Sequence, residues 1–292
     1  FADPTRDIPP VPRLQPGEFV CFPAPSSISI AAARLAWPLS DTEVVSLHGR
    51  DLHGVIRYLQ PQRRVLVLSW DRRTPGQLAR LLCERGFGRS QLRVLEALGG
   101  STERLRSCSA QDFSLEEIAD LNIVGIEVVG SDSTFSIPYR ASLPDAAFEH
   151  DGQLTKQEVR ALTLSALAPH PGERLWDVGA GSGSIAIEWM LSHAACRAIA
   201  VEQDPARCGR IRRNACALGV PALELVQAAA PAALEDLAPP DAIFIGGGAG
   251  DAGVFDRCWQ ALAPGGRLVV NAVSLETEGL LLAWYARYGG EL

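Results

Sequence analysis

A glycine-rich turn between an apolar run and a helix-like run most constrains how this chain can fold. The run "RLWDV" ends at Val178, glycines occupy alternate positions from Gly179 to Gly183, and "SIAIEWMLSHA" continues with a helical pattern. Glycine allows positive φ and close approach of the backbone to a ligand. Free amides at the start of a helix attract anionic groups. The turn therefore predicts a strand-to-helix junction of an α/β sheet, with a ligand at its edge.

The region from residue 149 onward continues this alternation of strand and helix patterns. Strand patterns occur at "RAIAVE", "LELVQ", "DAIFIG" and "RLVVNA", and a helical pattern separates each from the next. Such alternation is typical of a doubly wound parallel sheet, in which ligands bind beyond the carboxyl ends of the strands. Two helix starts are also predicted: a capping box formed by Thr155 and Glu158, and an N-cap at Asp204 followed by a proline.

Residues before position 130 predict another α/β domain. The strand patterns "EFVCF", "EVVSLHG", "RVLVLSW", "QLRVLEAL" and "NIVGIEVVG" alternate with helical patterns, which favours a mainly parallel sheet. An aperiodic stretch that contains proline and serine follows. We therefore predict a first domain over residues 1–130, a linker over 131–148 and a second domain over 149–292.

Charge and composition disfavour several classes of protein. The formal net charge is −7, whereas nucleic-acid-binding proteins are more often basic. No apolar stretch approaches the roughly 18 residues of a membrane span, and the first residues contain no apolar core of an export signal. We expect a cytoplasmic protein with no membrane or nucleic-acid partner. The cysteine and histidine spacings match no metal site, so no metal is predicted.

The spacing of the glycines discriminates between two possible ligands. A dinucleotide fingerprint, G-x-G-x-x-G, needs its third glycine at position 184, where this chain has Ser184. S-adenosylmethionine (SAM) carries a carboxylate that suits the loop amides. Glu202 ends the next strand pattern, where an acid binds ribose hydroxyls in nucleotide-binding sheets. SAM is therefore favoured, with a nicotinamide cofactor and a purely structural turn as alternatives.

Longer motifs in both halves of the chain resemble one enzyme family. "AFEHDGQLTKQEVRALTLSAL", "LWDVGAGSGSIAIEW" and "DAIFIGGG" resemble the C-terminal methyltransferase domain of the precorrin-6Y C5,15-methyltransferases (decarboxylating). "FPAPSSISIAAARLAWPLSDTEVVSLHGR" and "DLNIVGIEV" resemble the second half of that family's N-terminal tetrapyrrole-methylase domain. The resemblance covers roughly residues 19–292, and segments of the family pattern are expected to be absent at both ends.

The resemblance implies a fold and an activity. The fold is a Rossmann-like class I SAM methyltransferase sheet preceded by a partial α/β tetrapyrrole-methylase domain. The implied activity is methylation of a precorrin at C15 with decarboxylation of the C12 acetate, in cobalamin biosynthesis; the complete N-terminal domain would methylate C5. The implied cofactor is SAM and the implied substrate is a small tetrapyrrole. A homo-oligomer is expected, with the tetramer of the family's single-domain relatives as its form.

Candidate site residues follow from the turn and from the resemblance. The predicted cofactor-binding residues are Thr155, Asp177, Gly179, Ala180, Gly181, Ser182, Gly183, Glu202, Ala229 and Ala230. Predicted substrate-binding residues are Gly246, Gly247 and Asn271. Candidates for proton transfer are Glu149, His150 and Asp151, because carboxylates and histidine carry out such chemistry. Arg140, Arg160 and Arg207 are candidates for binding substrate carboxylates.

Simpler interpretations stand beside these assignments. Residues 149–151 could form a solvated loop, the three arginines could be surface residues, and the glycines at 246–248 could make a tight turn. Two other functions also remain open: a methyltransferase that acts on RNA or protein, and a non-catalytic SAM-binding scaffold.

Overall fold

The chain forms two compact units, Phe1–Ile137 and Pro138–Leu292. The computed structural model describes residues 23–130, 134–138 and 142–292. The predicted strand "EFVCF" and the candidate Arg140 lie outside the described residues. Within these ranges, no helix is both long enough and apolar enough to cross a lipid bilayer.

The described part of the first unit is built around a five-stranded mixed sheet. Its elements are α1 (Ser27–Leu35), β1 (Thr42–Ser46), β2 (Arg64–Leu68), α2 (Thr74–Glu84), β3 (Gln91–Glu96), β4 (Arg104–Ser109) and β5 (Asn122–Glu127). The strand order is β1-β2-β5-β3-β4, and β1 and β2 pair in parallel. The other three pairs are antiparallel. The prediction of a mainly parallel sheet is therefore wrong for this unit, because β5 inserts between β2 and β3 in the opposite direction.

The sequence pattern did not predict β4, whose residues are mostly polar. Ionic contacts hold this edge strand. Glu96 on β3 is fully buried, and its carboxylate accepts hydrogen bonds from Arg104 at 2.8 and 3.1 Å and from Arg106 at 2.9 Å. The amide of Ala119 donates to the same carboxylate at 2.8 Å. A buried charge is tolerated when it is paired in this way. The arginines of β4 supply this pairing, so β4 can join the sheet without an alternating apolar face.

The second unit contains the predicted doubly wound sheet. Its elements are α3 (Gln157–Leu167), β6 (Arg174–Val178), α4 (Ser184–Ser192), β7 (Arg197–Glu202), α5 (Pro205–Ala217), β8 (Glu224–Gln227), β9 (Ala242–Ile245), α6 (Val254–Ala261), β10 (Arg267–Val270) and α7 (Leu275–Tyr288). The strands are all parallel, in the order β10-β9-β6-β7-β8. The chain order reverses between β6 and β9, and this switch point is where such sheets bind ligands.

Apolar strands and two helix starts show how local sequence builds this unit. Trp176, Ile199 and Ile243, on three neighbouring strands, belong to one buried core cluster. At the start of α5 the Asp204 carboxylate accepts hydrogen bonds from two backbone amides, so the predicted N-cap is confirmed. The capping box at Thr155 is wrong: α3 begins at Gln157, and no side chain caps it.

Arg160 on α3 has a structural position. Its side chain is fully buried, and its Nε donates to Glu188 on α4 at 2.6 Å. Its other nitrogens donate to the Asp145 carboxylate at 3.1 Å and to the backbone carbonyls of Leu143 and Thr155. Arg160 is therefore not exposed to a substrate carboxylate, and that interpretation is wrong. The guanidinium instead holds the segment before α3 against α4.

We expect Arg160→Met to destabilise the protein by about 3–5 kcal/mol, because it leaves the buried Glu188 carboxylate without its charged partner. Urea unfolding measures this loss. The matched control is Arg213→Gln, which removes an exposed partner of Glu149 and is expected to change stability little. Equal effects of the two substitutions would contradict the structural role of Arg160.

Candidate active site

A cavity of about 740 Å³ opens at the carboxyl ends of the strands of the second unit. Its wall includes residues that follow each strand: Gly179 after β6, Glu202 at the end of β7, Ala228 after β8, Gly246 after β9 and Asn271 after β10. This is the volume range of small-molecule sites, which are commonly about 300–1,000 Å³. The crevice predicted from the strand pattern is therefore open.

The glycine-rich turn adopts the backbone conformation that its composition indicates. Gly179, Gly181 and Gly183 have φ of +71°, +59° and +77°, a region that side chains disfavour. A Cβ on Gly179 would lie 2.7 Å from the carbonyl oxygen of Gly247, so the loops after β6 and β9 pack backbone against backbone. A Cβ on Gly181 would approach nothing closer than 4.0 Å. Gly181 therefore leaves space on the cavity side of the turn.

Glu202 ties this turn to the neighbouring strand. The side chain is buried, with 5% of its surface exposed, and it lies in the cavity wall. One carboxylate oxygen accepts from the amide of Gly181 at 2.9 Å, and the other accepts from the amide of Asp204 at 3.0 Å. The carboxylate is thus held beside the turn, in the position that the sequence pattern predicts.

Asp177 lies behind the turn and not in the cavity wall. One carboxylate oxygen accepts from the amide of Ala186 in the first turn of α4 at 3.0 Å. The other is buried and has no hydrogen-bond partner within the described ranges. Burial, with a smaller contribution from the nearby Glu202 charge, raises the pKa of the Asp177 carboxyl to about 7. Gly183 likewise does not line the cavity, because it packs against Ile211 on α5.

Asn214, which no sequence pattern indicated, connects two walls of the site. This buried α5 side chain accepts from the amide of Glu149 at 2.8 Å and donates to the carbonyl of the same residue at 2.9 Å. It also donates to the carbonyl of Ser182 at 3.0 Å. One amide group therefore fixes the 149–156 segment, which we define as the strap, to the glycine-rich turn. An asparagine inside a helical pattern gave no signal for this contact.

The proton-transfer candidates at 149–151 lie outside the cavity wall. Two guanidinium nitrogens of Arg213 donate to the Glu149 carboxylate at 2.6 and 2.7 Å, and this contact lowers the pKa of Glu149. The pKa of Asp151 falls to about 2 because the amide of Gln153, Arg210 and Arg207 all donate to it. At neutral pH these carboxylates are ionised, and arginine side chains already bind them. They act as anchors of the strap, and the geometry does not support proton transfer by them.

His150 is exposed, and its Nδ1 accepts a hydrogen bond from the amide of Gly152 at 3.0 Å. It too lies outside the cavity wall. The other predicted residues come together: the wall contains Thr155, Ala180, Gly181, Ser182, Ala229, Ala230, Gly247 and Asn271. The wall also contains Lys156, Arg207 and Asp251, of which only Arg207 was a candidate.

Comparison with known proteins agrees with this architecture. The family model described as a precorrin methyltransferase domain matches residues 146–292. A precorrin-6Y C(5,15)-methyltransferase [decarboxylating] of Sinorhizobium sp is 52% identical over 96% of this chain and 68% of its own length. The chain belongs to the precorrin-6Y C5,15-methyltransferase (decarboxylating) family. A relative of the same name from Mycobacterium tuberculosis is 44% identical over 93% of this chain and 67% of its own length.

A solved structure supports the same assignment for the second half of this family member. The C-terminal domain of precorrin-6Y C5,15-methyltransferase from Rhodobacter capsulatus is 51% identical, with a TM-score of 0.50. The match covers 53% of this chain and 83% of that chain. The resemblance deduced from motifs is therefore confirmed at the level of the family.

We expect Asp177 to make the stability of this methyltransferase depend on pH. Its carboxyl pKa is about 7 in the folded protein, above its ordinary value, so the folded state retains this proton while the unfolded state releases it. The free energy of unfolding should therefore fall as the pH rises from roughly 4 to roughly 7. An asparagine at this position cannot titrate, so Asp177→Asn should remove this part of the pH dependence.

Urea titrations across that pH range provide the measurement. Asp236→Asn, at an exposed carboxylate, is the control and should leave the pH profile of the wild type unchanged. A profile for Asp177→Asn that overlays the wild type would show that the buried carboxyl does not retain its proton.

Proposed function

We propose that the second unit transfers a methyl group from SAM to C15 of a precorrin and promotes loss of carbon dioxide from the C12 acetate, in cobalamin biosynthesis. The observation that carries this proposal is the cavity at the switch point, walled by Gly179–Ser182 of the glycine-rich turn and by Glu202, in a member of a decarboxylating methyltransferase family. Methylation at C5 is assigned by the same family resemblance to the complete N-terminal domain.

The residues present fit SAM. The open space beside Gly181 would accommodate the amino acid end of the cofactor, near amides that attract a carboxylate. Glu202 would accept hydrogen bonds from the ribose hydroxyls. Ala229 and Ala230 line the wall beyond β8, and their small side chains leave their backbone groups to contact the adenine. Asp177 would orient the turn from behind through Ala186.

When bound, SAM supplies an electrophilic methyl group for an in-line displacement. The chain must then hold an electron-rich meso carbon of the tetrapyrrole in line and about 3–3.5 Å away. Such a carbon is itself the nucleophile, so a strong base is not required. This agrees with the position of Glu149 and Asp151, which lie outside the cavity wall and whose carboxylates are bound by arginines.

The decarboxylation places a different demand on the site. The conjugated macrocycle accepts the electron pair left by carbon dioxide. The methylene carbon of the former acetate gains one proton, which balances the proton lost from the methylated meso carbon, so the chain mainly orients the acetate. The part of the wall beyond β9 and β10 includes Gly246, Gly247 and Val273. Phe244 and the Gly179 turn fill the space beside the two glycines. Val273 therefore supplies the apolar surface on which a wide planar ring can lie.

Incubation with SAM and precorrin-6B, followed by mass spectrometry, tests the proposed reaction. The expected product has gained a methyl group and lost carbon dioxide. SAM binding without turnover would favour a scaffold, and methylation of bulk tRNA or protein would favour the other methyltransferase class; either outcome would contradict the proposal. The homo-oligomer implied by the resemblance stays a prediction, which sedimentation can measure.

We expect Glu202→Ala to weaken SAM binding by about tenfold or more, because the ribose would lose a charged acceptor, which corresponds to about 1.4 kcal/mol or more. Isothermal titration calorimetry measures the affinity, and circular dichroism checks that the fold is retained. Glu224→Ala is the matched control, since Glu224 is exposed at the opposite end of the neighbouring strand β8. Unchanged affinity in Glu202→Ala would remove Glu202 from the cofactor site.

A further inference from the structure

The cavity has two chemically different halves on either side of the switch point. Beyond β7 and β8 its wall contains Glu202 and Ala228–Ala230, which suits a nucleoside. Beyond β9 and β10, and at the start of α3, its wall contains Lys156, Val159, Asp251, Asn271 and Val273. We define this second set as the acceptor wall. The glycine loops at the switch point separate the two halves.

The acceptor wall exposes apolar surface. Val159 is 45% exposed and Val273 is 92% exposed, although both line the cavity. Isolated exposed valines need no explanation, but apolar side chains that share a cavity wall commonly mark a ligand site. The polar neighbour Asn271 is already engaged, because its amide donates to the Thr163 hydroxyl at 3.0 Å. The wall therefore presents valine surface to whatever enters this half.

Two cationic side chains lie in the described cavity wall, and only one of them is loosely held. Arg207 donates to the Asp151 carboxylate at 3.2 Å and also to the side-chain oxygen of Gln153. The Lys156 ammonium is 3.8 Å from the Asp145 carboxylate and its side chain is 58% exposed. That carboxylate is also bound by Arg160 at 3.1 Å. Lys156 is the only lysine in the sequence, and its ammonium is able to bind another anion.

We propose that Lys156, Val159 and Val273 form a subsite that seats the tetrapyrrole substrate, which deepens the proposed function and depends on it. The two valines pack against the face of the macrocycle, and the Lys156 ammonium binds a carboxylate at its periphery. That carboxylate is not the departing one. An ion pair with the departing carboxylate would stabilise the ground state more than the transition state, in which its charge moves into the ring.

Steady-state kinetics with precorrin-6B at saturating SAM test this subsite. We expect Lys156→Met to raise KM for the precorrin about tenfold, with a much smaller change in kcat, because it removes a contact that ground state and transition state share. Lys156→Arg keeps the charge and should restore most of the affinity. Val273→Glu places a like charge beside the substrate carboxylates and should raise KM similarly. Its exposure allows the substitution without loss of the fold.

The matched control is Leu282→Glu, which adds the same charge at an exposed leucine of α7 outside the cavity wall. It should leave KM unchanged. SAM affinity, measured by calorimetry, should stay within about twofold of the wild type in all four variants, since none alters the nucleoside half. An unchanged KM in both Lys156→Met and Val273→Glu would overturn the proposal, as would an equal rise in KM for Leu282→Glu.

A binding measurement separates failure of this subsite from failure of the proposed reaction. Equilibrium dialysis compares dicyanocobyrinic acid, a corrin with free carboxylates, with its methyl ester. The wild type should prefer the acid, and Lys156→Met should lose that preference. A wild type that does not convert precorrin-6B would contradict the proposed reaction, whereas equal binding of acid and ester by the wild type would contradict the subsite.

Discussion

The site depends on the contact between two glycine loops at the switch point of the parallel sheet. The turn after β6 lies so close to the loop after β9 that a Cβ on Gly179 would be 2.7 Å from the Gly247 carbonyl oxygen. The amide of Gly246 donates to the carbonyl of Val178 at 2.9 Å and closes this junction. Because these two loops pack through their backbones, no side chain at Gly179 or Gly247 fills the cavity that the loops line.

A second layer of polar contacts gives the cavity its outer wall. Arg160 is buried against Glu188 and holds the segment before α3, while Asn214 binds the strap to the glycine-rich turn. These side chains do not line the cavity. They determine where Lys156 and the rest of the strap lie relative to the turn. The contribution of these side chains that the geometry supports is therefore positioning of the cavity wall.

Sequence patterns predicted those parts of the structure whose signals are local. The strands of the second unit, the N-cap at Asp204, the turn and the position of Glu202 each follow from a few consecutive residues or from the register of neighbouring strands. The strands of the first unit are harder to predict from sequence, because β4 has no apolar alternation and is held by the contacts of Glu96 with Arg104 and Arg106. Strand direction there depends on where β5 inserts, which no local pattern records.

The sequence by itself determined the sheet class of the second unit, the edge at which its cavity opens and the family, because glycine conformation, strand periodicity and motif identity are properties of short segments. Only the tertiary structure decided which charged side chains face the cavity. Glu149 and Arg213 are 64 positions apart, and Arg160 and Glu188 are 28 apart. A carboxylate or guanidinium has the same sequence signal whether it meets solvent, substrate or a distant partner, and the folded chain alone selects among them.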